Sequence, residues 1–141
     1  MSELTAVDAI NGLEAWMVKA GALRSHDTER EMPVTHRFTP GLYVREIFMP
    51  AGHLVISKIH KTEHPFVISK GKVAVFIEED GWQVFAAPHT GITKPGTQRV
   101  LFIIEDTVWL TFHPTQLTDV DAIEEEIIEK RDNPLLKEIA A

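Results

Sequence analysis

Between Leu42 and Phe112 the chain is cut into short β-branched and aromatic runs by turn residues, and this rhythm constrains the fold more than any other feature. "LYVREIFM" ends at Pro50-Ala51-Gly52, and "LVISKIH" ends at Lys61-Thr62-Glu63. "KVAVFIEEDGWQVFAA" carries Asp80-Gly81 inside it, a strong two-residue hairpin signal. "RVLFII" and "TVWLTFH" follow, separated by Glu105-Asp106. Six or so strands with connections this short predict antiparallel order, because parallel neighbours need a long crossover. The expected architecture is a sandwich or barrel.

Helical periodicity flanks this region. Residues 5–20 place Val7, Ile10, Leu13, Trp16 and Met17 at three- and four-residue spacings, an amphipathic helix slightly weakened by Gly12. A polar segment then runs to Gly41 and reads as a connecting arm with one short edge strand. Towards the C-terminus, Thr118 with Asp121 three residues on resembles a capping box, and Val120, Ile123, Ile127 and Ile128 form an apolar stripe. Asn133-Pro134 is expected to stop that helix. Beyond it Leu135, Leu136 and Ile139 are available to dock on the same protein or on a neighbour. At 141 residues and 44% hydrophobic content the chain suffices for one compact domain and not for two. Its parts are an N-terminal helix and arm (1–40), a barrel (41–115), and a C-terminal helix and tail (116–141).

Composition removes several function classes. With no cysteine there is no disulfide framework, thiolate nucleophile or sulfur-ligated zinc or iron site, so a metal is expected to be held by nitrogen and oxygen. The net charge of -7 argues against a nucleic-acid surface, which normally leaves a basic footprint. Six acids against two bases between Asp119 and Arg131 contribute -4 of it, read as the solvated face of one helix. No stretch approaches the roughly 20 apolar residues of a membrane span, and the N-terminus lacks a signal-peptide pattern. The expected setting is the cytoplasm.

"SKIHKTEHPFVISKG" (57–71) sets His60 and His64 four apart, as a metal-binding helix would. The flanking Val55, Ile56, Ile59, Val67 and Ile68 favour strands instead, and Pro65 would break a helix while being tolerated at the start of a strand. The stretch therefore reads as strand, tight reversal, strand. In this form it resembles the first motif of small cupins, in which a glycine, five residues, His-x-His, three or four residues, a glutamate and six residues lead to a second glycine. Gly52, Lys58, His60, His64 and Gly71 match that spacing, with Lys58 where the family has its first histidine and His64 where it has glutamate. "KPGTQR" is similar to the second motif, with Lys94 in the proline's place, Gly96 matching its glycine and Arg99 where a third histidine ligand would be. The resemblance covers roughly residues 41–113. A mainly β fold is implied, a cupin-like jelly-roll barrel (double-stranded β-helix) with an N-terminal and a C-terminal helix. "GLYVREIFMPAG", "KIHKTEH" and "EDTVW" also resemble uncharacterised cupin-like proteins of bacteriophages, which would place the chain in host cytoplasm or a virion.

The substitutions bear on chemistry. Lysine and arginine are poor metal ligands and repel a divalent ion. A barrel mouth of Lys58, His60, His64 and Arg99 would instead be a cationic pocket for a small polar or anionic molecule, with Arg99 able to grip it bidentately. His60 or His64 would then act as acid or base in isomerase-type chemistry, with Lys58 or Arg99 stabilising an enolate oxygen. No cofactor is needed for that. Alternatively, one divalent transition metal sits on His60 and His64 with Glu63 or His113 completing the set. His113 is in phase with Trp109 and Thr111, so it could face the interior; Tyr43, Arg45 and Ile47 alternate with Val44, Glu46 and Phe48, and either row could point inward. Arg99 is equally suited to a structural ion pair with Glu46 or Glu105. His26, His36, His53 and His89 lie beside loop signals and read as solvated. Ser57 has no histidine and acid arrangement that would make it a nucleophile. Whether the chain is an enzyme stays open. A non-catalytic homo-oligomeric cupin used for assembly is the competing reading, for which the interior would be filled by side chains and the terminal arms would make the contacts.

Overall fold

A computed structural model describes residues 6–19, 32–77, 80–130 and 133–134. Helix α1 (Ala6–Lys19) precedes β1 (Val34–Thr39), β2 (Leu42–Met49), β3 (Leu54–Ile56), β4 (Ile59–His60) and β5 (His64–Ile77). Strands β6 (Gly81–Ala86), β7 (His89–Thr93) and β8 (Arg99–Pro114) follow, then α2 (Val120–Ile127) and β9 (Ile128–Glu129). The described pairings are all antiparallel, and the chain forms the expected mainly β jelly-roll barrel between two helices. The apolar tail after Pro134, and the arm from 20 to 31 with His26, lie outside the described residues.

Two long central strands build the barrel. β8 pairs with β2 along residues 107–114 and with β3 along 100–102, while β5 pairs with β7 along 64–68 and with β6 along 72–77. Each long strand thus belongs to both halves of the jelly roll, and the bend falls where the β5–β8 register shifts between Ile68 and Val73. Gly71 sits in that bend at φ +97°. The alternation of β2, β5 and β8 sends Ile47, Met49, Phe66, Ile68, Val73, Val75, Leu101, Ile103 and Trp109 inward to one core.

Several boundaries differ from the sequence reading, each for a packing reason. "RVLFII" and "TVWLTFH" are one strand, because β5 pairs with β8 on both sides of Glu105-Asp106 and the bend needs a bulge, not a break. "LVISKIH" is split at Ser57-Lys58, where Ser57 Oγ accepts a hydrogen bond from the Arg99 amide and Ser57 donates its own amide to the Arg99 carbonyl. β7 was not expected as a strand; five residues around Gly91 carry too little periodicity to show it, and pairing with β5 makes it. His89, read as solvated, is half-buried there and stacks on Phe85 at 4.1 Å. The N-cap of α2 is Asp119 and not Thr118: its carboxylate accepts from the Ala122 amide at 3.1 Å. Finally α2 stops at Ile127, before Asn133-Pro134, because Ile128 and Glu129 pair with the free edge of β4.

That last pairing positions the site. It draws α2 across one mouth of the barrel, where Ile123 and Ile127 are buried against Tyr43. Helix α1 packs elsewhere, with Ile10, Leu13 and Met17 on the outer face of the sheet against Ile56, Val100, Leu54 and Phe76.

Candidate functional site

Under α2 lies a cavity of about 110 Å³. Residues 109, 111 and 113 of β8 share one face by strand alternation, so Trp109, Thr111 and His113 all line it. Register places Tyr43 of β2 opposite His113, and Thr93 of β7 opposite His64. Tyr43, Arg45, Ile47 and Met49, one of the two possible rows of β2, face the same space.

The structure brings together His60 from β4, His64 from the start of β5 and His113 from the end of β8. One ring nitrogen from each lies within 4.8 Å of those of the others. The ring centroids are 4.4 Å apart for His60 and His64, 4.5 Å for His64 and His113, and 5.3 Å for His60 and His113. His64 and His113 are buried and His60 is half-buried. Lys58 and Arg99 line the cavity too, whereas Glu63 is exposed on the reversal and lies outside the lining. Arg99 has neither Glu46 nor Glu105 as a partner: its Nη1 donates to Thr93 Oγ1 at 3.0 Å, and Glu46 pairs with Arg37 at 3.4 Å.

All three imidazoles are held neutral at physiological pH. Desolvation by burial, then the neighbouring His64 and His113 and the guanidiniums of Arg45 and Arg99, push His60 down to about 3. Burial, His64 and Arg45 push His113 down to about 3. His64 is lowered by burial and Arg99, against a raising contribution from the Thr62 carbonyl. Neutral imidazole has one N–H and one lone pair, and the hydrogen bonds assign them. The Nδ1 of His64 lies 3.0 Å from the Thr62 carbonyl oxygen, so it donates there and Nε2 carries the lone pair. The Nε2 of His113 bonds Thr111 Oγ1 at 2.9 Å, and its buried Nδ1 has no partner. An orphaned buried N–H is rarer than a bare lone pair, which assigns the proton to Nε2 and leaves Nδ1 as an acceptor.

Of the site's side chains Glu124 escaped the sequence reading, while Tyr43 and Arg45 stood in one of two β2 rows either of which could face inward. Arg45 and Tyr43 sat on a strand whose two rows alternated without a clear apolar face. Glu124 was counted with the solvated acids, yet it lines the cavity and accepts a hydrogen bond from Lys58 Nζ at 3.0 Å. The signal was available: Glu124 falls four residues after Val120 and three before Ile127, in phase with the apolar stripe. Lys58 is therefore a partly neutralised cation.

No protein-family model matches the sequence, and no curated protein matches it. Solved structures do. An RmlC-like cupin family protein with a double-stranded β-helix fold, from Methanocaldococcus jannaschii, superposes with a TM-score of 0.50 at 12% identity over 60% of this chain and 81% of its own. The barrel has a cupin fold. The cupin domain of an XRE family transcriptional regulator from Enterobacter cloacae aligns over its full length and 61% of this chain, with TM-score 0.50 and 14% identity. KdgF from a Halomonas species aligns over 63% of this chain and 85% of its own, with TM-score 0.52 and 15% identity. At these identities the likeness concerns the fold alone. The histidine cluster takes His60 and His64 from the stretch around the β4–β5 reversal and its third member from the end of β8.

The cluster fits a metal ion. Three neutral imidazoles suit zinc, nickel, iron or manganese. The backbone carbonyl of Thr62 and the hydroxyl of Thr111 hold the rings of His64 and His113 by their second nitrogens, as outer-shell partners do in metal centres. Among the described residues no helix is long and apolar enough to cross a membrane.

Proposed function

We propose that this chain is a metal-dependent cupin in which His60, His64 and His113 hold one divalent transition metal and the cavity beside them binds a small polar molecule. The observation that carries this reading is the meeting of one ring nitrogen from each of three neutral histidines within 4.8 Å, in a cluster where the buried Nδ1 of His113 has no hydrogen-bond partner. A bound divalent metal would supply a Lewis acid for a ligand oxygen. The chain's own residues do the rest: Ile123, Ile127 and Trp109 exclude water, and Lys58, Arg45 and Arg99 make the cavity positive. A metal-free isomerase that uses His60 as base is less well supported, because a base with a pKa of about 3 is nearly powerless at neutral pH. The open cavity also supports ligand binding over a filled, purely structural barrel.

Elemental analysis of untagged protein tests the metal. About one equivalent per chain is expected for the wild type, falling at least tenfold in His60→Ala, His64→Ala and His113→Ala. A metal-free wild type, or full occupancy in His113→Ala, would sink the three-histidine assignment.

One observation favours self-association alongside this activity. On the outer face of the sheet, cross-strand register sets Val84, Ala74, Phe102 and Leu54 in one row, with Trp82 beside Phe76. Trp82 is 58% exposed and Val84 57%, and Phe102 and Ile104 are also exposed. The exposed side chains offer on the order of 400 Å² of apolar surface, half of the roughly 800 Å² one partner contributes to a standard interface. Since α1 covers only part of this face, a second copy packing its sheet on the remainder across a two-fold axis is the occupant we infer. Light scattering is expected to give a dimer for the wild type and a monomer for Trp82→Lys. A monomeric wild type, or an unaltered dimer in the variant, would remove the proposal.

A further inference from the structure

The positive charge of the cavity is only partly balanced by its own lining. Arg99 is only 8% exposed, yet among the described residues the one hydrogen bond from its guanidinium goes to a neutral hydroxyl, Thr93 Oγ1. Its Nε is buried without any partner. The guanidinium lies 5.0 Å from the Phe66 ring centroid and 5.9 Å from that of Trp109, so packing as well as the Thr93 bond holds it in place. Arg45 lines the same cavity, and among the described residues neither arginine has a carboxylate within salt-bridge distance. Glu124 is the one carboxylate among the lining residues, and it is engaged by Lys58. Three cations and one carboxylate leave the lining at +2 in a chain of -7.

Such an arrangement is costly unless something completes it. A buried cation without a hydrogen-bonded anion is destabilising, and a chain rich in acids had ready means to neutralise Arg99. A guanidinium fixed by packing, with its Nε left unpartnered, is matched by a planar two-oxygen anion, which can take two parallel hydrogen bonds from such a group. Inorganic phosphate presents four oxygens around a tetrahedral centre, and only two of them can lie in the guanidinium plane, so it leaves more oxygens to be satisfied by other donors than a carboxylate does.

We infer that the ligand of this cavity is a small carboxylate, one carboxylate group of which is gripped by Arg99 while Arg45 supplies the second positive charge. The cavity volume restricts it to a compact metabolite-sized acid. This rests on the reading of the cavity as a ligand site, and it does not depend on a metal being bound.

The test uses full-length protein stripped of metal with a chelator, verified metal-free, and titrated calorimetrically at neutral pH with malonate, inorganic phosphate and neutral malonamide. Malonate is expected to bind one site per chain, with malonamide at least tenfold weaker and phosphate weaker than malonate. Arg99→Lys is expected to weaken malonate at least tenfold, and Arg45→Gln, a partly exposed position that keeps the fold if Arg99→Lys does not, at least threefold. Equal binding of malonate and malonamide, no binding of malonate, phosphate tighter than malonate, or unchanged affinity in a folded Arg45→Gln would each overturn the inference. Elemental analysis keeps the two readings apart: malonate binding by a chain that never carries metal retires the metal and leaves the carboxylate site. A metal-loaded wild type whose stripped form ignores malonate does the reverse.

Discussion

Gly71→Ala is expected to lower stability by more than about 4 kcal/mol, enough to unfold a marginal domain. Gly71 combines two demands. Its φ of +97° lies in the region that side chains rarely adopt, and a Cβ there would lie 2.7 Å from the Thr107 Cα and 2.6 Å from its Oγ1, with the Asp106 carbonyl oxygen closer still. Two of these atoms are backbone of β8 at the bend, where no side chain can swing away. Gly96→Ala is the control: it shares the positive φ, at +80°, but a Cβ there meets nothing within 4 Å. It should cost about 1–2 kcal/mol, the conformational penalty alone. Urea unfolding of the two variants side by side decides the matter. Equal losses would mean that the crossing of β5 and β8 is not the tight point of the barrel.

Acid should destabilise the metal-free protein steeply, well before its carboxylates protonate. His60 and His113 titrate at about 3 in the folded state, against about 6.5 when unfolded. Between those values the unfolded chain binds protons that the native chain refuses, so stability is full above pH 6.5 and falls as pH drops towards 3. Each pH unit in that window costs up to about 1.4 kcal/mol per histidine. The midpoint of urea unfolding is expected to fall continuously from pH 6.5 to pH 4, and His113→Gln should flatten the slope measurably, by about a third or more, since His60 and His64 still titrate below their ordinary value. A flat profile across this window, or an unchanged slope in the variant, would show that the cluster is already protonated or open to water in the native state. Metal should shift the whole loss to lower pH, because a ligand bound only by the native state adds to its stability.

Both predictions start from residues that stood out in the sequence, but for different reasons. Gly71 was marked by a resemblance, since its spacing from Gly52 matches the first motif of small cupins, where glycines fall at the bends of the barrel. His60 and His64 were marked by a strand–reversal–strand pattern that Pro65 enforced. These are local properties: a hydrophobic period, a proline, a turn residue and an absent cysteine each restrict the backbone or the ligand chemistry within a few positions. They sufficed for a mainly β sandwich or barrel, for α1 and the existence of a C-terminal helix, and for the absence of thiolate metal ligands, while the resemblance narrowed the architecture to a cupin-like barrel.

What only the tertiary structure decided is which local alternatives meet. The inward row of β2, with Arg45 and Tyr43, depended on the register of β2 against β8, and a one-residue slip would have reversed it. His113 became the third histidine because β8 runs unbroken through Glu105-Asp106 and carries that residue back to β4 and β5. Glu124 turned from solvent to Lys58 because α2 ends early and Ile128–Glu129 pairs with β4, a contact between segments nearly 70 residues apart. Periodicity within one segment reports which face is apolar; it holds no record of the partner that face will find. The fold was therefore legible from the spacing of turns, while the composition of the site was settled by long-range pairing and by the desolvation that follows from it.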